Sequence, residues 1–193
     1  MPKYTEKIED EDRERSFRVL ATMEKEYEKR NPRFFDRILE EESSLVLRVH
    51  AVTVLGEIGD EKSVGILADA LRNDPSSLVR HECAFSLGQM GLKSAVPYLI
   101  EATLNDPSEI VRHESAAALG AIGDERARSA LLKASQEESD EVKGSAMASL
   151  FYLDFLKYSK ATQREKVDAE ELISEIENKR KLTLQTEKKM PHP

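Results

Sequence analysis

The chain has no tryptophan and one cysteine in 193 residues. A single thiol can neither close an intramolecular disulfide nor build a thiolate metal cluster, which excludes a disulfide-stapled scaffold and a cysteine-rich metal module. Long apolar runs are missing too: nothing approaches the roughly 20 residues that span a bilayer. The first residues, Met1-Pro2-Lys3-Tyr4-Thr5-Glu6, lead into charged sequence without the apolar stretch of a signal peptide. A cytoplasmic chain without a membrane partner is expected. Positive charge is in deficit, with 29 Lys and Arg against 37 Asp and Glu, a net charge of −8 at pH 7. Phosphate binding needs local positive charge that survives the overall repulsion, so nucleic acid is not an expected partner and basic partners fit better. Ser-His-Asp, P-loop and dinucleotide motifs are also lacking.

What the chain has is repetition. Val79-Arg80-His81-Glu82 and Val111-Arg112-His113-Glu114 are in register at a period of 32 residues, and each opens a helical pattern of one design. A period of this length is that of stacked helical hairpins, so the fold is expected to be all-α, an α-solenoid of HEAT-like repeats with helical caps at both ends. Four repeats occupy 43–156, between a charged N-terminal cap at 1–42 and a C-terminal helix and frayed tail at 157–193. The 34% charged and 39% hydrophobic residues suit such thin, two-layer packing.

Punctuation supports the phase. Asn31-Pro32 ends a first helix, Glu6 to Arg30, because the residue before proline is pushed out of the α region, and a shorter helix follows from Phe34 to Glu41. Ser43-Ser44, Asn73-Asp74-Pro75-Ser76-Ser77 and Asn105-Asp106-Pro107-Ser108 offer a Ser or Asp to cap the next helix. Gly59, Gly91 and Gly123 mark the other ends, where an αL residue stops a helix. Partner helices run from Lys62 to Arg72 and from Ser94 to Leu104, with Pro97 in a first turn. Beyond Leu156 the pattern lapses at Lys157-Tyr158-Ser159-Lys160, and one more amphipathic helix runs from Val167 to Ile176. His192, in the frayed tail, belongs to no site.

On a 100° wheel Val79, Cys83, Ala84, Leu87 and Met90 share the core arc, as do Val111, Ser115, Ala116, Leu119 and Ile122, while both His-Glu pairs fall outside it. The basic position recurs in all four repeats as Arg48, Arg80, Arg112 and Lys143, so it is structural, holding the Asp or carbonyls of an adjoining turn. The pairs do not recur. Val49 and His50 replace them in the first repeat, where His50 reads as a lone surface residue, and Gly144 and Ser145 replace them in the fourth. Neighbouring helices pack roughly 8–10 Å apart, a gap that two imidazoles can bridge to one ion at about 2.0–2.2 Å from each nitrogen. Two histidines and a carboxylate with open positions is a non-haem iron constellation, zinc being open on ligand type alone. Solvated groove residues remain the alternative.

His81-Glu82 with Leu87-Gly88-Gln89-Met90, followed by Val111-Arg112-His113-Glu114 with Ala118-Leu119-Gly120-Ala121-Ile122-Gly123-Asp124, resembles one half of the deoxyhypusine hydroxylase family, over about Ser43 to Leu156. That family has two similar halves of HEAT-like hairpins around a di-iron centre, and hydroxylates the deoxyhypusine side chain of a translation initiation factor with dioxygen. The resemblance implies that His81, His113 and Glu114 are ligands of one Fe(II), and that Glu82 meets the cationic substrate. Only one half is present here. A homodimer would restore two irons, one per chain, with an exact two-fold axis in place of the approximate one. A monomer would leave a mononuclear site, a partner supplying the other half, or a retired scaffold. The opposing reading is a non-catalytic HEAT-repeat interaction module whose acidic groove takes a basic peptide.

Overall fold

The structure, a computed structural model, describes residues 10–162 and 172–178. It divides into two compact units, 1–155 and 156–193. Among the described residues all regular structure is helical. Helix α1 spans Asp10–Glu28 and α2 Pro32–Glu41; α3 (Leu45–Ile58), α5 (Ser77–Met90), α7 (Glu109–Ile122) and α9 (Asp140–Thr162) carry the basic repeat position. Between them lie α4 (Glu61–Asn73), α6 (Val96–Asn105) and α8 (Arg128–Ala134), the last two each entered through one 3₁₀ turn. In the first unit α5 packs against α3, α4 and α7, and α6 against α4, α7 and α8. The result is the expected all-α solenoid, two layers of helices with one continuous core. The N-terminal helices pack on the first repeat, burying Met23 of α1 and Phe35 of α2.

The wheel assignment holds closely. Val79, Cys83, Ala84, Leu87, Val111, Ala116 and Leu119 are fully buried, and Met90 and Ile122 pack partly buried at the margin. Burial pushes the Cys83 thiol well above its ordinary pKa, which suits a small hydrophobe and not a nucleophile. Ser115 is buried as well, its hydroxyl unpartnered, where the equivalent residues Ala51, Cys83 and Ala146 are apolar.

The glycine stops are as expected: Gly59, Gly91 and Gly123 have φ of 66°, 66° and 68°, the left-handed region that costs other residues about 1 kcal/mol or more. The fourth repeat has Asp154 at that place, and α9 does not stop; it continues through Lys157-Tyr158-Ser159-Lys160 to Thr162. The helix thus runs on past the point after Leu156 where the repeat pattern lapses, because nothing in the sequence there breaks it. Residues 172–178, which overlap the expected last helix, are helical, while the earlier part of that helix and the tail with His192 lie outside the described residues.

Of the Ser or Asp expected at the helix starts, the structure uses Asp74 and Asp106, and it uses Glu42 in place of Ser43-Ser44. Ser44, Ser76 and Ser108 occupy the N-cap positions, yet none makes a side-chain cap hydrogen bond. The residue two places earlier does the bonding: Glu42 Oε1, Asp74 Oδ1 and Asp106 Oδ1 accept the backbone N–H of Ser44, Ser76 and Ser108 at 3.0, 2.8 and 2.8 Å. The same three residues, in register at 32, also receive the arginines. Arg48 donates to the Asp74 carboxylate (2.9 Å) and to the Glu42 carbonyl (3.0 Å); Arg80 donates to both Asp106 carboxylate oxygens (2.8 and 3.0 Å) and to the Asp74 carbonyl (2.9 Å). Arg112 repeats the design with Glu137 (3.0 Å) and the Asp106 carbonyl (3.0 Å). Arg15 of α1 closes the first end on Glu42 at 2.8 Å, and that hydrogen bond holds the Glu42 carboxyl below its usual range. At the other end Lys143 pairs with Asp140 of its own helix.

Arg80 and Asp106 retain 10% and 6% of side-chain exposure, so the pair is a desolvated one, where loss of one partner costs about 3–5 kcal/mol. Arg80→Met is expected to lose about that much in urea unfolding, and Arg80→Met/Asp106→Asn to recover part of it. A loss below about 1 kcal/mol would put the pair in the class of exposed ion pairs.

The helices of the first layer approach each other through small residues. A Cβ on Gly88 would lie 2.8 Å from the Ala118 Cβ, and one on Gly120 would lie 2.7 Å from the Ser149 Cβ. Gly88→Ala should therefore destabilise by about 1–3 kcal/mol despite its better helix propensity, since overpacking outweighs the propensity gain of about 1 kcal/mol. A raised melting temperature in Gly88→Ala would show that the crossing is slack.

Candidate metal and substrate site

The arginine ladder orients the histidines. Arg80 is drawn into the turn between repeats, and the next residue along, about 100° round the helix, is His81; Arg112 and His113 repeat the relation. Both imidazoles leave the core side and line one cavity of about 350 Å³ with Leu78, Glu109, Ile110 and Glu141. Leu78 and Ile110 stand one residue before the buried Val79 and Val111, so they are half exposed and give the cavity apolar walls.

The two histidines have different surroundings. His81 has a carboxylate at each ring nitrogen: Glu82 Oε1 lies 3.3 Å from Nδ1, and Glu114 Oε2, from the next repeat, lies 3.4 Å from Nε2. The three side chains are 28%, 29% and 17% exposed, a half-sheltered cluster. His113 turns its Nδ1 toward the fourth repeat, 3.1 Å from the Glu141 carbonyl oxygen and 2.9 Å from Ser145 Oγ. His50 is exposed on α3.

The structure thus brings His81, Glu82 and Glu114 together and puts His113 on the same cavity. Among the described residues no group of three or more His, Cys, Asp or Glu side chains is placed to hold a metal ion. The chemistry of the donors nonetheless fits a metal. Two imidazoles and a carboxylate leave coordination positions open, and a ligating histidine ordinarily donates its second ring N–H to a carbonyl, as His113 can to Glu141. Sequence reasoning missed Ser145, Glu141, Leu78 and Ile110; the last two were open to it, since they recur at the 32-residue spacing beside each Val-Arg-His-Glu.

The HEAT-repeat family matches the chain twice, over residues 31–104 and 66–150, and the chain belongs to that family. Within that class the chain is similar to the solved structure of human deoxyhypusine hydroxylase in complex with glycerol, with a TM-score of 0.63 and 29% sequence identity. The similarity covers 77% of this chain and 50% of the human one. The chain thus corresponds to about half the length of that protein. No curated protein sequence gives a significant match. Among the described residues no helix is long and apolar enough to cross a membrane.

The site makes separable demands on its two histidines and on the off-site His50. His81→Ala and His113→Ala are each expected to abolish Fe(II) binding, measured by titration, while circular dichroism and the melting temperature stay near wild type, because neither ring is in the core. His50→Ala should bind as wild type does. Unchanged iron content in both site variants would end the metal reading.

Proposed function

We propose that the chain is an iron-dependent monooxygenase of the deoxyhypusine hydroxylase type, acting on a modified lysine side chain of a translation initiation factor. The observation that carries it is the cross-repeat cluster, in which His81, on the cavity that His113 also lines, meets Glu114 of the next repeat. Similarity to the human hydroxylase supports the same reading. His81, His113 and Glu114 would hold one Fe(II), which supplies activation of dioxygen when bound. The chain's own residues then have three tasks. Glu114 contributes the anionic donor. Glu82, on the other side of His81, remains free to accept hydrogen bonds from an ammonium group of the substrate. Leu78 and Ile110 shield the cavity from water and receive the aliphatic part of a long cationic side chain.

Because the chain matches half of the human protein, a complete site with two irons calls for a second copy, related by a two-fold axis that presents the same His-Glu cluster from the facing chain. Metal analysis of untagged protein, with its mass in solution, tests this. A dimer with two irons is expected; a metal-free monomer would favour the interaction-module reading. One feature favours that second reading. Phe151 of α9, 76% exposed, stands where α3, α5 and α7 carry Gly56, Gly88 and Gly120, and Met147 lies one turn before it, so the last helix presents an apolar row suited to a protein partner.

The two glutamates should fail differently. Glu114→Ala is expected to lower iron affinity sharply, whereas Glu82→Ala keeps iron and loses substrate affinity by one to two decades, from a charge-assisted contact of about 1.5–3 kcal/mol. Equal loss of iron in both would assign Glu82 to the metal.

A further inference from the structure

The fourth repeat looks empty beside its neighbours, with Gly144 and Ser145 where the second and third carry His-Glu. The contacts give it a task. In register, the residue after the histidine position reaches back to the histidine of the preceding repeat: Glu114 meets His81 at 3.4 Å, and Ser145 meets His113 at 2.9 Å. The two contacts fall on different ring atoms, Nε2 of His81 and Nδ1 of His113.

We infer that Ser145 is a positioning residue for His113, holding the ring in the Nδ1–H form so that Nε2 is the free donor on the cavity shared with His81. The inference deepens the metal reading above and rests on it for its purpose, though not for its test. The geometry constrains the proton. A backbone carbonyl oxygen can only accept, so the Glu141 oxygen, 3.1 Å from Nδ1, requires an N–H there; a lone pair on Nδ1 would face a lone pair on oxygen. Ser145 Oγ, nearer at 2.9 Å, shares that N–H as a second acceptor and pins the ring plane from one helical turn further along α9. Among the described residues Nε2 of His113 has no hydrogen-bond partner of its own.

Ring ¹⁵N shifts of His113 in the metal-free protein read the tautomer directly, at about pH 8, where an ordinary imidazole is neutral. Wild type is expected in the Nδ1–H form, against the Nε2–H preference of free histidine. Ser145→Ala should move the population toward Nε2–H and weaken Co(II) binding about tenfold or more, in the range of outer-sphere substitutions. Ser145→Thr, which keeps the hydroxyl, should restore both. An Nε2–H ring in wild type, or a Ser145→Ala ring indistinguishable from wild type, would overturn the inference. Should the tautomer respond as expected while wild type binds no Co(II), the positioning stands and the metal reading falls, so the two failures are distinct.

Discussion

The ion pair between each repeat's arginine and the acidic residue of the next turn is the contact on which the rest of the structure depends. Arg48, Asp74, Arg80, Asp106, Arg112 and Glu137 form one continuous ladder, in which Asp74 and Asp106 each also bond a helix start and, through the carbonyl, receive the following arginine. An aspartate with three such tasks allows its helix little rotation. In a stack of similar helices the hydrophobic core alone would tolerate a slip of some tens of degrees, because Ala, Leu and Val present nearly equivalent surfaces; directional hydrogen bonds to a guanidinium fork remove that freedom. Partners this little exposed make the ladder costly to break, whatever its net contribution relative to an apolar replacement.

A second constraint sets the spacing. Gly56 against Ser86, Gly88 against Ala118 and Gly120 against Ser149 let the helices of one layer come close enough for a side chain on one to touch a ring on the next. Rotation fixed by the ladder and distance fixed by the small residues together produce the cross-repeat contacts of His81 with Glu114 and of His113 with Ser145. The candidate site is thus a by-product of regular stacking, elaborated in the middle repeats where the stack continues on both sides. At α9 the rule changes: Phe151, exposed, stands in place of the glycine.

A chain corresponding to half of the human hydroxylase poses a problem of symmetry before one of chemistry. One half presents His81 and His113 on an open cavity, with Glu114 against His81, and two such cavities can face each other only through a second half-site. Under the proposed function a two-fold axis supplies it without any new residue. Under the scaffold reading the same acidic, half-sheltered surface and the apolar row on α9 would serve contact alone. Both readings use one architecture, and metal content and mass in solution separate them.

Repeat phase, the core arcs and the αL stops were legible in the chain itself, because each depends on residues within one turn or one 32-residue period: apolar spacing for the arcs, glycine for the stops, the recurring Arg for the ladder. The Arg role was readable as structural, since a group needed for stacking must appear in every repeat. Its partners were half readable; Glu42 and Glu137 sit in register with Asp74 and Asp106, yet the change from Asp to Glu hid them. What tertiary structure alone decided lies between helices. That Asp and not Ser bonds the helix starts, that α9 runs on past Asp154, that Glu114 turns to Nε2 of His81 while Ser145 turns to Nδ1 of His113, are matters of rotamer and inter-helix distance. A one-dimensional pattern names the face on which a side chain lies; only packing decides which atom of a neighbour it meets.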